Sequence, residues 1–271
     1  MSSDLAGSVA FVTGGGRGIG RAAALALAAA GASVAVVARN GGEVRSVATE
    51  VEAHGVRAFA VPVDVTDRSS VHEAARAAEA ELGPIDLLIC NAGVGVPPTP
   101  VWEADPVDWW RVQEVNVLGV LHTVQAVVPG MVRRGRGRVV HVASLLGSRP
   151  TPGVSAYACS KASLMRLADT LDGELADTGV RSFAMSPGLV RTEMTAEMER
   201  HVTVPDDAWT GIEASAELIV RIAAGHADPL SGRMLHVDDD LDDLVRHAAT
   251  IEERGWYQLR VFRGRAEEGP A

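Results

Sequence analysis

Three polar side chains in the second half of the chain have the types and spacing of a proton-transfer site. Tyr157 is followed four residues later by Lys161, and Ser144 precedes Tyr157 by 13 residues. A helix that begins near Tyr157 would place positions i and i+4 on one face. An ammonium beside a phenol stabilises the phenolate, so we expect the pKa of Tyr157 to fall below its usual value of about 10. Tyr157 would then act as a general acid or base, with the Ser144 hydroxyl on the same substrate oxygen.

The composition supports a particular role for Lys161. All but one of the 25 Lys plus Arg residues are arginine, and Lys161 is the exception. A compact ammonium can bond a ribose hydroxyl and a phenol together, whereas a guanidinium is a planar fork. The alternative is chance placement of a single lysine. Its position four residues after a tyrosine favours the chemical role.

A glycine-rich turn near the N-terminus has the pattern of a phosphate-binding loop. It runs from Thr13 to Gly20, between an apolar run at 9–12 and a helix predicted to begin near Ile19. Glycines let the backbone approach a pyrophosphate, and the helix start offers unpaired N–H groups to it. A purely structural tight turn is the alternative, but the strand–turn–helix setting favours dinucleotide binding. The predicted binding residues here are Gly14, Gly16, Arg17, Gly18, Ile19 and Gly20.

The end of the second predicted strand bears on the choice of dinucleotide. An acidic residue there would hold the adenosine ribose 2′-hydroxyl, but the chain has Ala38 and Arg39. Arg39 together with Arg17 could bind a 2′-phosphate through charge-assisted hydrogen bonds. The sequence therefore favours NADP(H) over NAD(H). The alternative is that both arginines are solvated surface charges.

Short, nearly continuous apolar runs alternate with Ala- and Arg-rich helical stretches along the chain. Such runs are typical of a parallel sheet that is covered by helices on both faces. We predict a single-domain, Rossmann-like, doubly wound α/β fold with about seven strands over residues 1–237, and a C-terminal extension over 238–271. The uncharged stretch 22–38 is predicted to be a buried helix, a turn and a buried strand. The predicted strands are 9–12, 34–37, 58–63, 87–90, 139–142 and 181–185.

Charge and cysteine content argue against several classes of function. The formal net charge is −10, and no run of five or more basic residues offers a footprint for nucleic acid. The two cysteines and eight histidines lack the spacing of a disulfide scaffold or zinc site. The N-terminus lacks the pattern of a signal peptide. We expect a cytoplasmic protein with no metal and with neither nucleic-acid nor membrane partners.

Taken together, the motifs resemble the short-chain dehydrogenase/reductase family over about residues 7–237. The matching features, in family order, are the glycine turn, Asp64, Asn91-Ala92-Gly93, Asn116, the Ser144/Tyr157/Lys161 set, and Pro187-Gly188 followed by Thr192. Singly, these have plainer readings: Asp64 as a helix cap, Asn91-Ala92-Gly93 as a turn, Asn116 as a buried polar residue, and Pro187-Gly188 as a loop. Their joint occurrence in this order favours the resemblance.

The resemblance implies a cofactor role for each matched residue. Asp64 and Val65 would flank the adenine, and Asn91, Ala92 and Gly93 would pass along the cofactor. The nicotinamide end would be held by Pro187, Gly188, Val190 and Thr192, together with Tyr157 and Lys161. Asn116 would join Ser144, Tyr157 and Lys161 in the catalytic set by anchoring a water that leads from Lys161 to solvent.

The implied activity is hydride transfer between nicotinamide C4 and a ketone or secondary alcohol. The alternatives are a dehydratase or epimerase with tightly bound cofactor, and a non-catalytic nucleotide-sensing protein. The loops 94–102, 145–155 and 189–207 would form the substrate pocket. Leu145, Pro152, Met194, Met198 and Trp209 indicate a hydrophobic small molecule, unless they are simply core. The family also implies a homo-oligomer, a tetramer or a dimer.

The extension after residue 237 departs from the family. Five apolar residues there share one helical face: Leu241, Leu244, Val245, Ala248 and Ile251. Tyr257, Leu259 and Val261 then alternate with polar residues. We predict a helix followed by an extended arm. This tail would pack over the substrate loop or a neighbouring subunit, or else cover its own core.

Overall fold

The computed structural model describes residues 5–261, which contain a seven-stranded sheet. The strands are β1 (Val9–Thr13), β2 (Ser33–Ala38), β3 (Ala58–Pro62), β4 (Leu87–Cys90), β5 (Gly137–Val142), β6 (Val180–Ser186) and β7 (Met234–His236). All neighbouring strands pair in parallel, in the order β3-β2-β1-β4-β5-β6-β7. The predicted doubly wound fold is confirmed. β7 was not among the six predicted strands.

Helices cover both faces of this sheet. They are α1 (Gly18–Ala29), α2 (Gly41–Glu52), α3 (Arg68–Leu82), α4 (Pro106–Gln113), α5 (Gly119–Arg134), α6 (Ser155–Glu174), α7 (Glu193–Glu199), α8 (Ile212–Ala223), α9 (Leu241–Arg246) and α10 (Ala248–Arg254). One apolar cluster lies on the side of α3, α5 and α6, and the other on the side of α1, α2 and α8. As predicted, the stretch 22–38 divides into helix, turn and strand.

One helical stretch, Pro106–Arg134, is long and apolar enough to cross a membrane by composition alone. It consists of α4, a π-helical segment Glu114–Leu118 and α5. Most of its apolar window is buried in the protein, which is typical of a core helix. We therefore assign it to the core that supports the sheet.

The strand order reverses direction at β1 and β4, which are neighbours although β2 and β3 lie between them in sequence. In open parallel sheets, ligands bind beside the carboxyl ends of the strands at such a point. Here β1 leads into the glycine turn and β4 leads into residues 91–95. The topology therefore brings these two segments together.

The C-terminal extension differs from its prediction. A break at His247 divides the predicted single helix into α9 and α10. The His247 Nδ1 atom lies 2.9 Å from the Asp243 carbonyl oxygen, which also accepts from the His247 backbone N–H. Leu241, Leu244 and Ile251 are buried in the α1–α2–α8 cluster, so this part covers the chain's own core.

The predicted extended arm begins as a turn. Tyr257 has a φ of 60°, which is incompatible with a strand, and its carbonyl accepts a hydrogen bond from Met234 N at 2.8 Å. The remainder of the arm beyond Val261 lies outside the described residues.

Candidate active site

A cavity of about 1000 Å³ runs along the carboxyl edge of the sheet. It brings together residues from all parts of the predicted site, from the glycine turn to α7. Of the predicted residues, the following line it: Gly14, Gly16, Arg17, Gly18, Ile19, Arg39, Asp64, Val65, Asn91, Ala92, Gly93, Ser144, Tyr157, Lys161, Pro187, Gly188, Val190 and Thr192. Gly20 and Asn116 lie behind the wall.

The glycine turn fits a pyrophosphate. Gly14 and Gly18 have φ values of 63° and 54°, a backbone region that favours glycine. A Cβ on Gly20 would lie 2.2 Å from the Gly14 carbonyl oxygen, so only glycine permits this close packing. Within residues 5–261, no side chain caps the start of α1, whereas Asn40 caps α2 and Asp67 caps α3. The first N–H groups of α1 are thus left for an anion at the cavity.

Thr13 and Asn91 hold the glycine turn against the end of β4. The Thr13 hydroxyl accepts from Asn91 N at 3.0 Å and Ala92 N at 3.2 Å, and donates to the Ile89 carbonyl. The Asn91 amide donates to the carbonyls of Thr13 and Gly14 at 3.0 and 3.1 Å. Asn91 therefore acts on the turn rather than only passing along the cavity. The sequence prediction gave Thr13 no role, because a hydroxyl at a strand end does not show which strand it will meet.

The candidate proton-transfer group lies at the opposite end of the cavity. Tyr157 and Lys161 are both in the first turns of α6, as predicted, and the Lys161 Nζ lies 5.4 Å from the centre of the Tyr157 ring. Ser144 follows β5 and shares a side-chain hydrogen bond with Tyr157. Its hydroxyl also accepts from Leu146 N at 3.2 Å, which fixes its orientation.

The pKa values at this end differ from the sequence prediction. Burial raises the pKa of Tyr157 to about 12, although the hydrogen bond from Ser144 opposes the rise. Burial also lowers the pKa of Lys161 to about 8. The predicted lowering of the Tyr157 pKa is wrong for this structure, because burial raises that pKa. The Lys161 Nζ donates to the Val142 carbonyl, 2.7 Å away. In this structure Tyr157 is therefore a protonated phenol at neutral pH.

Asn116 lies in the π-helical segment Glu114–Leu118 between α4 and α5. Its Oδ1 accepts from Val94 N at 2.8 Å, while its Nδ2 donates to the Val94 carbonyl at 3.0 Å and to Ser160 Oγ at 2.9 Å. π-helical turns often occur at functional sites because they redirect a side chain. Here the turn ties the 91–95 loop to α6. The water-anchoring role of Asn116 stays a prediction.

The two predicted phosphate-binding arginines have different surroundings. Arg39 is exposed at the cavity and acts electrostatically on Asp64. Arg17 instead forms an ion pair with Glu193 at the start of α7. Of the two, Arg17 alone is in an ion pair within residues 5–261.

Asp64 is not a helix cap, since Asp67 caps α3. Its carboxylate accepts from Thr66 N at 2.9 Å and Thr66 Oγ1 at 2.7 Å. Burial tends to raise the pKa of Asp64, but these hydrogen bonds and the charges of Arg111 and Arg39 outweigh it and lower the pKa. Asp64 is therefore a fixed negative charge on the cavity wall.

The substrate end is apolar but differs in detail from the prediction. Met194 and Met198 line it as expected, together with Leu146, Val154 and Leu189. Leu145 packs into the core instead. Neither Pro152 nor Trp209 is among the described residues that line the cavity. The Arg191 Cζ atom lies over the Trp209 ring, 4.4 Å from its centroid. Adjacent residues in a loop point to different sides, and the sequence alone could not show which.

Gly95 sets the width of this end. A Cβ there would lie 3.6 Å from Met194 Cγ and 3.9 Å from Tyr157 Cδ2, which are ordinary contact distances. We expect Gly95→Ala to be tolerated, and Gly95→Val to lower kcat/KM for bulky ketones by about tenfold relative to small ones. Steady-state kinetics on a series of ketones of rising size would check this. Equal effects across the series would contradict the assignment.

These features define an α/β protein with a large cleft at the carboxyl edge of its sheet, lined by a glycine turn at one end and by Tyr157 at the other. Residues 8–203 match the model of the family described as short chain dehydrogenase. The chain belongs to this family and is an oxidoreductase of that type.

Individual relatives agree with this assignment. A short chain dehydrogenase of Pseudocercospora fijiensis is 40% identical over 209 residues, which are 77% of this chain and 65% of that protein. The chain thus spans just under two thirds of that relative's length.

Solved structures share the fold along most of the chain. A gluconate 5-dehydrogenase from Burkholderia cenocepacia in complex with NADP and tartrate has a TM-score of 0.80 at 28% identity, covering 89% of this chain and 98% of that one. An NAD⁺-bound xylitol dehydrogenase has a TM-score of 0.80 at 27% identity, covering 86% and 98%. These neighbours bind different nicotinamide dinucleotides.

Proposed function

We propose that the protein is an NADP(H)-dependent oxidoreductase that interconverts a hydrophobic ketone and its secondary alcohol. One observation carries the proposal: Tyr157, Ser144 and the glycine turn line the same cavity. A bound nicotinamide would supply or accept the hydride at C4. The glycine turn, residues 91–93 and residues 187–192 would hold that cofactor.

The chain's own residues perform the proton transfer. In the reducing direction, Tyr157 donates its phenolic proton to the developing alkoxide. The Ser144 hydroxyl donates to the same oxygen as negative charge develops on it. Lys161 places a buried ammonium between the Tyr157 ring and Gly93, near enough to the cavity to bond a ribose hydroxyl. The apolar wall around Met194 excludes water from the reaction.

The choice of NADP(H) rests on Arg39. Arg39→Ala removes the exposed guanidinium at the end of β2, so we expect the Kd of NADPH to rise by about 10- to 30-fold and that of NADH by less than about threefold. Titration of nicotinamide fluorescence would measure both. Arg45→Ala is the matched control, because Arg45 is exposed on α2 but does not line the cavity. Equal losses for both cofactors would contradict the 2′-phosphate role.

The reaction itself is tested with a panel of ketones and secondary alcohols and all four nicotinamide cofactors. We expect stoichiometric NADPH consumption with an apolar ketone. A dehydratase, an epimerase or a nucleotide sensor would show no net consumption, and that result would overturn the proposal.

The proposal includes a cytoplasmic location and self-association. Exposed apolar side chains on α4 and α5, among them Val107, Trp110 and Leu121, are consistent with contact between copies of the chain. Sedimentation velocity would check the predicted dimer or tetramer.

A further inference from the structure

A carboxylate lies where the adenosine ribose of a dinucleotide would be held. Glu43 is in the first turn of α2 and lines the cavity next to Gly16 and the end of β2. Its Oε1 accepts a hydrogen bond from Asn40 Nδ2 at 2.9 Å. A Cβ built on Gly16 would lie 2.9 Å from Glu43 Oε2 and 3.6 Å from the Ala38 Cβ. Oε2 therefore faces the glycine turn at the level of Ala38.

The end of β2 carries no acidic side chain for the adenosine ribose, and Glu43 is the carboxylate beside it. In dinucleotide-binding folds, an acidic side chain at the end of the second strand accepts the ribose 2′-hydroxyl. Ala38 cannot do so, but Oε2 of Glu43, on the neighbouring helix, and the Ala38 Cβ both lie within 4 Å of one point beside Gly16. The hydrogen bond from Asn40 Nδ2 to Oε1 holds the carboxylate in this orientation.

The charges around Glu43 determine how strongly it would repel a 2′-phosphate. Arg39 is exposed at the end of β2 and also interacts electrostatically with Asp64. Arg17 is engaged by Glu193. A 2′-phosphate would therefore meet one favourable guanidinium and, on the other side, the negative charge of Glu43.

We propose that Glu43 is a specificity-determining residue that limits the preference for NADP(H): Oε2 accepts a ribose hydroxyl of NAD(H) and repels the 2′-phosphate of NADP(H). This inference rests on the proposed dinucleotide site and predicts that the protein binds both cofactors. Arg39 then favours NADP(H) over NAD(H), and Glu43 opposes that preference.

The test is the Glu43→Gln variant, which keeps the size and the hydrogen bond to Asn40 but removes the charge. We expect the Kd of NADPH to fall about five- to tenfold and that of NADH to rise about two- to fivefold. Adenosine 2′,5′-bisphosphate and AMP, titrated calorimetrically, should shift in the same two directions, so that the readout needs no turnover. At 1 M salt, where the Debye length is about 3 Å, the gain for the 2′-phosphate should shrink.

Glu52→Gln is the matched control, because Glu52 is exposed near the end of the same helix and away from the cavity. It should change neither Kd by more than about twofold. The inference is overturned if Glu43→Gln leaves the NADPH-to-NADH ratio unchanged while the unmodified protein binds both cofactors. If the unmodified protein binds neither dinucleotide, the proposed function and this inference fail together.

Discussion

Replacing Tyr157 with Phe is expected to lower kcat for ketone reduction by about 10³-fold while the Kd of NADPH changes by less than about twofold. The phenol is the proton donor at the cavity wall, and Phe keeps the ring that packs below Lys161. The loss should therefore fall on the chemical step and not on cofactor binding. Stopped-flow single-turnover reduction, alongside fluorescence titration of NADPH, separates the two quantities.

The only other tyrosine provides the control. Tyr257 lies in the C-terminal turn, and burial together with the charges of Asp239 and Asp243 raises its pKa as well. Tyr257 does not line the cavity, so Tyr257→Phe should keep full activity. If Tyr157→Phe retained more than about a tenth of the original kcat, the assigned proton donor would be wrong.

Replacing Lys161 with Met is expected to lower kcat by about 10²-fold and, at pH 7, to raise the free energy of unfolding by about 1–2 kcal/mol. The activity falls because the cavity loses the ammonium that we propose bonds the nicotinamide ribose hydroxyl. Stability rises because a buried ammonium disfavours the native state, as its lowered pKa of about 8 indicates. The lost hydrogen bond to the Val142 carbonyl offsets part of this gain.

The pH dependence of this stability effect follows from the two pKa values of Lys161. Below pH 8 the native protein holds the full ammonium, so the native state carries the whole cost. Between pH 8 and 10.5 the unfolded chain binds more protons than the native one, so the stability of the unmodified protein rises with pH. The advantage of Lys161→Met should therefore be largest at pH 7 and shrink towards pH 10.

Urea unfolding at both pH values measures this difference. The account is contradicted if Lys161→Met is less stable than the unmodified protein at pH 7. Arg166→Met is the matched control, because Arg166 lies on the exposed face of α6, the helix that contains Lys161. Its effect on the free energy of unfolding should not depend on pH in this range, since arginine stays protonated.

The sheet was predictable because its signal is local. Strands that are covered on both faces give nearly continuous apolar runs, and all six predicted strands lie within two residues of the observed bounds. β7 gave no such signal, because it is three residues long and only Met234 and Leu235 are apolar in it. The single helix predicted after residue 237 was wrong for a related reason: its apolar period continues through His247 and gives no signal for the break between α9 and α10.

The site was predictable where one motif carries its own geometry. The spacing of Tyr157 and Lys161 on one helix, and of the glycines in one turn, fixes their relative placement. Relations between distant segments were not predictable. The pairing of Arg17 with Glu193, the approach of Glu43 to Gly16 and the direction of the Lys161 Nζ towards Val142 depend on tertiary packing. The error in the Tyr157 pKa has this origin, because the burial that raises this pKa comes from tertiary packing.

Transfer of hydride within this cavity is the central claim, and an isotope measurement tests it most directly. NADPH carrying deuterium at each of the two C4 positions in turn would be incubated with the protein and an apolar ketone from the panel, and the alcohol product analysed by mass spectrometry and NMR. The account predicts that one of the two labelled cofactors delivers its deuterium to the carbinol carbon. An alcohol whose carbinol hydrogen comes from solvent with both labels would contradict it.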